Sequence, residues 1–407
     1  MQHIIRAAGL LLLFILPVSG HGAEGAAPAA ANAFNPAISL VLSGGYARLS
    51  QDPANYAISG FIGGGDIGPG ERGFSLGESE LVVLANIDPF LYGGLILALA
   101  PDNTVSVEEA FVQTIGLGDG LTFKAGRYFS AVGYLNDKHA HTWDFVGNPL
   151  AYQAFLGTQF SDDGVQLKWL APTDRYLEFG MEAGRGANFP GSERNANGAG
   201  ALATFIHSGG DVGSSHSWRA GLSYLKTTAQ DREVTLDDLV AQPVTNTFTG
   251  DSRLWIADFL WKWAPQGNPR VHNAKLQGEY FSRREDGELV YDTATPPASL
   301  GPVSSLYATR QSGWYVQGLY QFMPRWRVGV RTEKLDSGSQ DLGANNANLP
   351  RVQARPARNS LVLERSFSEF SRVRLQFARD RARADVTDNQ WFIQYQASLG
   401  AHGAHQY

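Results

Sequence analysis

Two histidines separated by one residue are the part of this 407-residue chain best suited to chemistry. His139 and His141 lie in the run Asn136-Asp137-Lys138-His139-Ala140-His141, with Asp144 just beyond. Imidazole nitrogens and carboxylate oxygens together suit Zn²⁺ or Cu²⁺. A second pair, His402 and His405, ends the chain. Each pair is half a site, and a third ligand has to come from elsewhere in the fold. The plainer reading is loop polarity hydrogen-bonded to a neighbouring wall. No cofactor is expected on that reading, and Zn²⁺ is the ion to test against it. The chain has no Cys, so it has neither a thiolate site nor a disulfide framework.

The arginines make a second constellation. Residues 310–385 hold fourteen Lys and Arg against seven Asp and Glu, although the whole chain carries a net charge of −6. Arg325, Arg327, Arg331, Arg372 and Arg374 fall on the non-apolar phase of two alternating segments. Such a stripe facing water inside a pore biases it toward anions. The competing use is structural pairing with carboxylates such as Glu78, Glu80, Glu178, Glu182 or Glu279. Two further motifs fail on context. Gly73-Phe74-Ser75-Leu76-Gly77 matches a nucleophile elbow but leads into a strand, where the elbow needs a helix. Gly68-Pro69-Gly70-Glu71-Arg72-Gly73 matches a dinucleotide glycine pattern with no strand before it and no helix after it. No catalytic set converges, and the acidic balance does not favour nucleic acid.

The elements that must position these residues alternate with period two. Trp391, Ile393, Tyr395, Ala397 and Leu399 alternate with Phe392, Gln394, Gln396 and Ser398. Val373, Leu375 and Phe377 alternate with Arg372, Arg374 and Gln376, and Trp326, Val328 and Val330 with Arg325, Arg327 and Arg331. These are strand patterns, apolar on one face and polar on the other. With less regular segments the count reaches sixteen, and the loss of phase near Glu108 and Glu109 predicts a β-bulge. Connections alternate between long and short, which fixes an even strand count with both chain ends on the short-turn side. The long ones include 50–72, 129–162, 228–251, 285–310 and 336–358.

Residues 1–20 read as a signal peptide: Arg6 ahead of a twelve-residue apolar core and a small-residue cleavage site at Val18-Ser19-Gly20. Residues 21–36 are an Ala/Pro-rich periplasmic spacer. No later segment reaches the ~20 apolar residues of a spanning helix. A membrane form of residues 37–407 must then be a closed barrel, since only helices and barrels satisfy every backbone group in lipid. The fold class is all-β: a transmembrane antiparallel β-barrel of about sixteen strands, with long extracellular loops and short periplasmic turns. Within it, residues 128–156 are too long and too aromatic for an idle connector. Tyr128, Phe129, Tyr134, Trp143, Phe145, Tyr152 and Phe155 should fix this loop against an inner wall.

Sixteen alternating strands, a signal peptide, a long loop after the fifth strand and the terminal aromatic Tyr407 resemble the Gram-negative outer-membrane porins. The phosphate-selective and related substrate-selective porins look most similar. The resemblance implies that residues 128–156 fold into the lumen as a constriction, leaving Asn136, Asp137, Lys138, His139 and His141 facing solute beside the Arg stripe. It also implies passive diffusion of small hydrophilic or anionic solutes, no catalysis, outer-membrane lipid and the barrel-assembly machinery as partners, and a homotrimer. The chain departs from the porin pattern at its end, where the last strand stops near Leu399 and residues 400–407 follow. Two rival readings remain: a zinc-linked outer-membrane protein using His139 and His141, and a non-conducting surface adhesin.

Overall fold

In the computed structural model, which describes residues 36–65 and 67–400, the alternating segments form one antiparallel sheet closed on itself. The strands are β1 (Ala37–Leu49), β2 (Gly73–Leu76), β3 (Ser79–Asn86), β4 (Leu91–Leu99), β5 (Val105–Thr114) and β6 (Leu121–Phe129). After a long connection come β7 (Ser161–Leu170), β8 (Tyr176–Gly184), β9 (Ala201–Val212), β10 (His216–Asp237), β11 (Pro243–Trp263) and β12 (Asn273–Tyr291). The wall ends with β13 (Val303–Met323), β14 (Trp326–Asp341), β15 (Ala357–Ser368), β16 (Ser371–Arg381) and β17 (Asp388–Gly400). Seventeen strands make sixteen staves, because β2 and β3 both pair with β1. Gly44 faces Leu76 and Val41 faces Glu80, so three steps along β1 meet four along its partner. One extra residue breaks that stave into two. β1 also pairs with β17 from Ser39↔Gly400 to Leu49↔Gln390, which closes the barrel and removes its edges.

The two faces separate as the alternation requires. On β17, Trp391, Ile393, Tyr395 and Leu399 stand exposed, while Gln390, Gln396 and Ser398 are buried. Such an outward apolar row is what a bilayer solvates, with polar side chains turned to the lumen. The expected bulge is present: Ile96 faces Glu109 and Leu97 faces Val107, leaving Glu108 as the extra residue.

Three expected long connections are instead partly strand. β10 to β14 run 16 to 22 residues, beyond the ~9–11 needed to cross a bilayer. They shrink 228–251, 285–310 and 336–358 to true loops at 238–242, 292–302 and 342–356. Once a strand leaves lipid it no longer needs an apolar outer face. Runs such as Arg283-Arg284-Glu285-Asp286 therefore continue the ladder without the alternation that marks it.

The lumen on the long-loop side holds a dry core that the dyad pattern did not foretell. Leu225, Leu254, Ile256, Phe281, Tyr315 and Leu335 point inward from β10 to β14. They pack on the loop after β6 and on Ile58 and Phe61 of the connection after β1. The loop contributes a short helix, α1 (Leu150–Leu156), every residue of which is buried. Pro149 precedes it and Gly157 ends it in the left-handed region at φ 63°. A Cβ on Gly157 would lie 2.6 Å from the Gly64 carbonyl oxygen, so this cap also sets how closely the two connections approach.

Candidate functional site

The loop between β6 and β7 crosses the lumen and is held at nearly every turn by a polar group of the wall. Its first residues donate to two buried carboxylates. Ser130 Oγ and the Ala131 amide reach Glu182, the latter at 2.9 Å. The amides of Tyr134 and Leu135 reach Glu279 at 3.0 and 3.2 Å, and the hydroxyls of Tyr152 and Tyr315 donate to the same carboxylate. A carboxylate has about four acceptor sites, and here all are used. Glu333 accepts from the Leu150 amide, so a wall carboxylate does the work of the missing N-cap side chain of α1.

The arginine stripe clamps the far half. Arg327 lies 2.8 Å from Asp144 and 3.3 Å from Glu364, and Lys275 lies 2.8 Å from the other oxygen of Asp144. Arg331 pairs with Glu333 and donates to the Gly147 carbonyl at 2.9 Å. Arg372 pairs with Glu364 at 3.1 Å and donates to the carbonyls of His141 and Trp143. Arg374 donates to the same Trp143 carbonyl and to Gln394. Arg325 sits apart, exposed on the β14 entry turn, where it bonds the Phe367 carbonyl. The arginines' carboxylate partners are thus Asp144, Glu333 and Glu364. Of the carboxylates expected for that role, Glu279 and Glu182 hold loop amides instead. Burial pushes the Asp144 carboxyl up, but Lys275 and Arg327 outweigh it and hold it well below the usual carboxylate range.

The polar tip divides. Asn136, expected to face solute, is fully buried: its amide nitrogen bonds the carbonyls of Ser130 and Phe160, and its oxygen accepts from the Phe160 amide. It ties the two ends of the loop together, which any side chain carrying donor and acceptor can do in a dry neck. Asp137 and Lys138 form a half-exposed pair at 3.1 Å. His139 and His141 stack with ring centroids 5.8 Å apart and turn away from the open lumen toward the β3–β5 wall. His139 Nδ1 lies 3.2 Å from Glu108 and 3.3 Å from Glu80, its Nε2 3.1 Å from Glu109, and His141 Nδ1 2.7 Å from Glu80. Burial lowers the His139 pKa, yet the carboxylates of Glu108, Glu109 and Glu80 prevail and raise it well above its ordinary value. His402 and His405 lie outside the described residues.

Below the loop, toward the short turns, a cavity of about 630 Å³ remains. Its floor and walls carry Lys138, Lys262, Lys275, Arg327 and Arg372 against Asp144, Asp211, Glu364 and Glu369. Tyr134 presents its ring to Lys138, Arg219 and Lys275 at 5.2–5.9 Å. Neither Lys275 nor Lys262 stood out in the sequence. The signal that links them is register: they face each other across β11 and β12, so both take the inner phase.

No family model matches the chain. An uncharacterized protein of Aquifex aeolicus is 29% identical over 411 residues, covering 95% of this chain and 83% of that one. Among solved structures, a loop L8 deletion mutant of OmpT, an outer membrane protein of Vibrio cholerae, aligns with TM-score 0.55 at 14% identity, over 90% of this chain and all of that one. The outer membrane channel DcaP of Acinetobacter baumannii aligns at 0.52 and 10%, over 89% and 97%. OmpF of Salmonella typhi, in complex with daunomycin, aligns at 0.52 and 12%, over 90% and 98%. The chain has the porin fold, a closed antiparallel barrel of sixteen staves.

Proposed function

We propose that this chain is an outer-membrane, porin-like channel for small hydrophilic solutes, biased toward anions. The observation that carries the reading is the inward-folded loop, which leaves a chamber of about 630 Å³ lined by five Lys and Arg against four Asp and Glu. The excess positive charge raises the local concentration of anions. The Tyr134 face and Trp143 offer apolar surface beside it, which favours an organic anion over a bare ion. Membrane lipid is the solvent of the outer belt. Homotrimers are the assembly to test, since OmpT of Vibrio cholerae is described in a trimer form. Asp137, Lys138, Lys262 and Lys275 are the residues assigned to solute contact, while Arg327, Arg331, Arg372 and Arg374 hold the constriction.

The test is current through single barrels in a planar bilayer under a KCl gradient. Discrete steps with a reversal potential on the anion side are expected, and changing Lys262 and Lys275 to Gln should move that potential toward the cation side. Screening makes the shift smaller as salt rises, since the Debye length falls to ~3 Å at 1 M. The dry core of the long-loop side favours a second reading, a barrel closed at rest. Folded barrels that show no steps, even after residues 137–142 are removed, would leave that second reading alone standing.

A further inference from the structure

We propose that His139, Glu80 and Glu108 form a divalent-metal site, suited to Zn²⁺, that pins the tip of the inward-folded loop to the β3–β5 wall. Zinc bonded to nitrogen and oxygen at ~2.0–2.1 Å in a tetrahedron sets its ligand atoms about 3.3 Å apart. His139 Nδ1 already stands 3.2 Å from Glu108 Oε2 and 3.3 Å from Glu80 Oε2, and the three ligand atoms all lie within 4.8 Å of one another. The fourth position is left to water.

The surroundings are those of a metal's outer shell. Metal-bound histidines normally give their other ring nitrogen to a carboxylate, which fixes tautomer and ring angle. Glu109 takes that place, 3.1 Å from His139 Nε2. His141 Nδ1 lies 2.7 Å from Glu80 Oε1, so it orients that carboxylate. The wall is shaped to converge these groups. Neighbouring strand residues normally point to opposite faces, and the bulge at Glu108 lets Glu108 and Glu109 both turn to His139. Glu80 pairs with Ala98 on β4, whose small side chain leaves room over the sheet beside it.

The inference stands whether or not the barrel conducts, because its test reads binding and not current. Untagged full-length protein, taken from membranes and stripped with a chelator, would be titrated calorimetrically with ZnCl₂. One site per chain of micromolar affinity or tighter is expected. Glu108→Gln and His139→Gln should abolish it, Glu109→Gln should weaken it ~10–100-fold, and Glu193→Gln on an exposed loop should leave it unchanged. Each variant's fold is checked by heat-modifiable migration on a gel. Where a variant fails to fold, X-ray absorption of the zinc-loaded parent decides, with one imidazole and two carboxylates expected around the metal. Absence of stoichiometric zinc, equal affinity in Glu108→Gln, or a shell without that imidazole overturns the site.

Discussion

Asp144→Asn isolates what the charged clamp does. The carboxylate accepts from Lys275 and Arg327, both at 2.8 Å, and from Gln317 at 3.0 Å. Removing one partner of a buried ion pair costs ~3–5 kcal/mol. Arg327 keeps Glu364, and Lys275 borders the water of the cavity, so the lower end applies, about 3 kcal/mol. That is roughly a hundredfold change in an equilibrium. The dry core should keep α1 seated, while openings that release the segment around residues 143–148 become about a hundredfold more frequent. Single-channel records should then show added flicker in Asp144→Asn, with gel migration of the folded barrel unchanged. The reversal potential should also move toward anions, since a negative charge leaves the floor. Records matching the parent in noise and in reversal potential would refute the clamp. The pH dependence follows from the same pair. The folded carboxyl titrates below its unfolded value, so its stabilisation is complete above the ordinary carboxylate range and is lost only as pH falls through the depressed folded value. Lowering the pH from 7 to 5 should therefore leave the flicker contributed by this residue unchanged.

Phe155→Ala should cost ~3–5 kcal/mol of loop packing, because the ring stacks on Phe281 at 5.8 Å and meets Phe61 edge-on at 5.5 Å. Limited proteolysis of folded barrels should then cut within residues 130–160, and resistance equal to the parent's would count against the core. Gly157→Ala places a side chain at φ 63° and against the Gly64 carbonyl, a loss of about 2–3 kcal/mol that the same proteolysis should report. Epitope tags at residue 240 or 298 should be reached by antibody on intact cells, and a tag at Thr173 should not. The reverse pattern would invert the barrel in the membrane.

What the sequence made legible was whatever lipid dictates. The apolar outer row of β17, the strand count and the bulge at Glu108 follow from an alternation that the bilayer enforces residue by residue. Where lipid stops dictating, legibility stops with it. The Glu279 carboxylate is one polar residue on an inner phase, and nothing local distinguishes one that faces solute from one that takes three loop donors and a wall hydroxyl. Arg331 and Arg374 pointed inward as the pattern required, yet the phase of a strand cannot say whether water or a loop carbonyl meets the guanidinium. Asn136 misled for the same reason, being polar in a polar run while serving a dry neck. The glutamates around His139 were unreadable as a group, since β3 and β5 become neighbours of the loop only through closure and inward folding.

The pairing of a dry core with a charged clamp has a consequence for how the loop can move. Apolar contact is non-directional and tolerates sliding, whereas carbonyls and carboxylates held by arginine forks demand one geometry. α1 and the aromatic cluster therefore supply the weight of the docking, and Arg331, Arg358, Arg372 and Arg374 supply its register through the carbonyls of Gly147, Asn148, His141 and Trp143. A loop so held should open in pieces: the charged stretch from Lys138 to Asn148 should yield to charge removal, and α1 only to loss of its rings. Asp144→Asn and Phe155→Ala act on these separate parts, so their effects on loop opening should add to within ~0.5 kcal/mol. A coupling well beyond that would mean that the loop moves as one body.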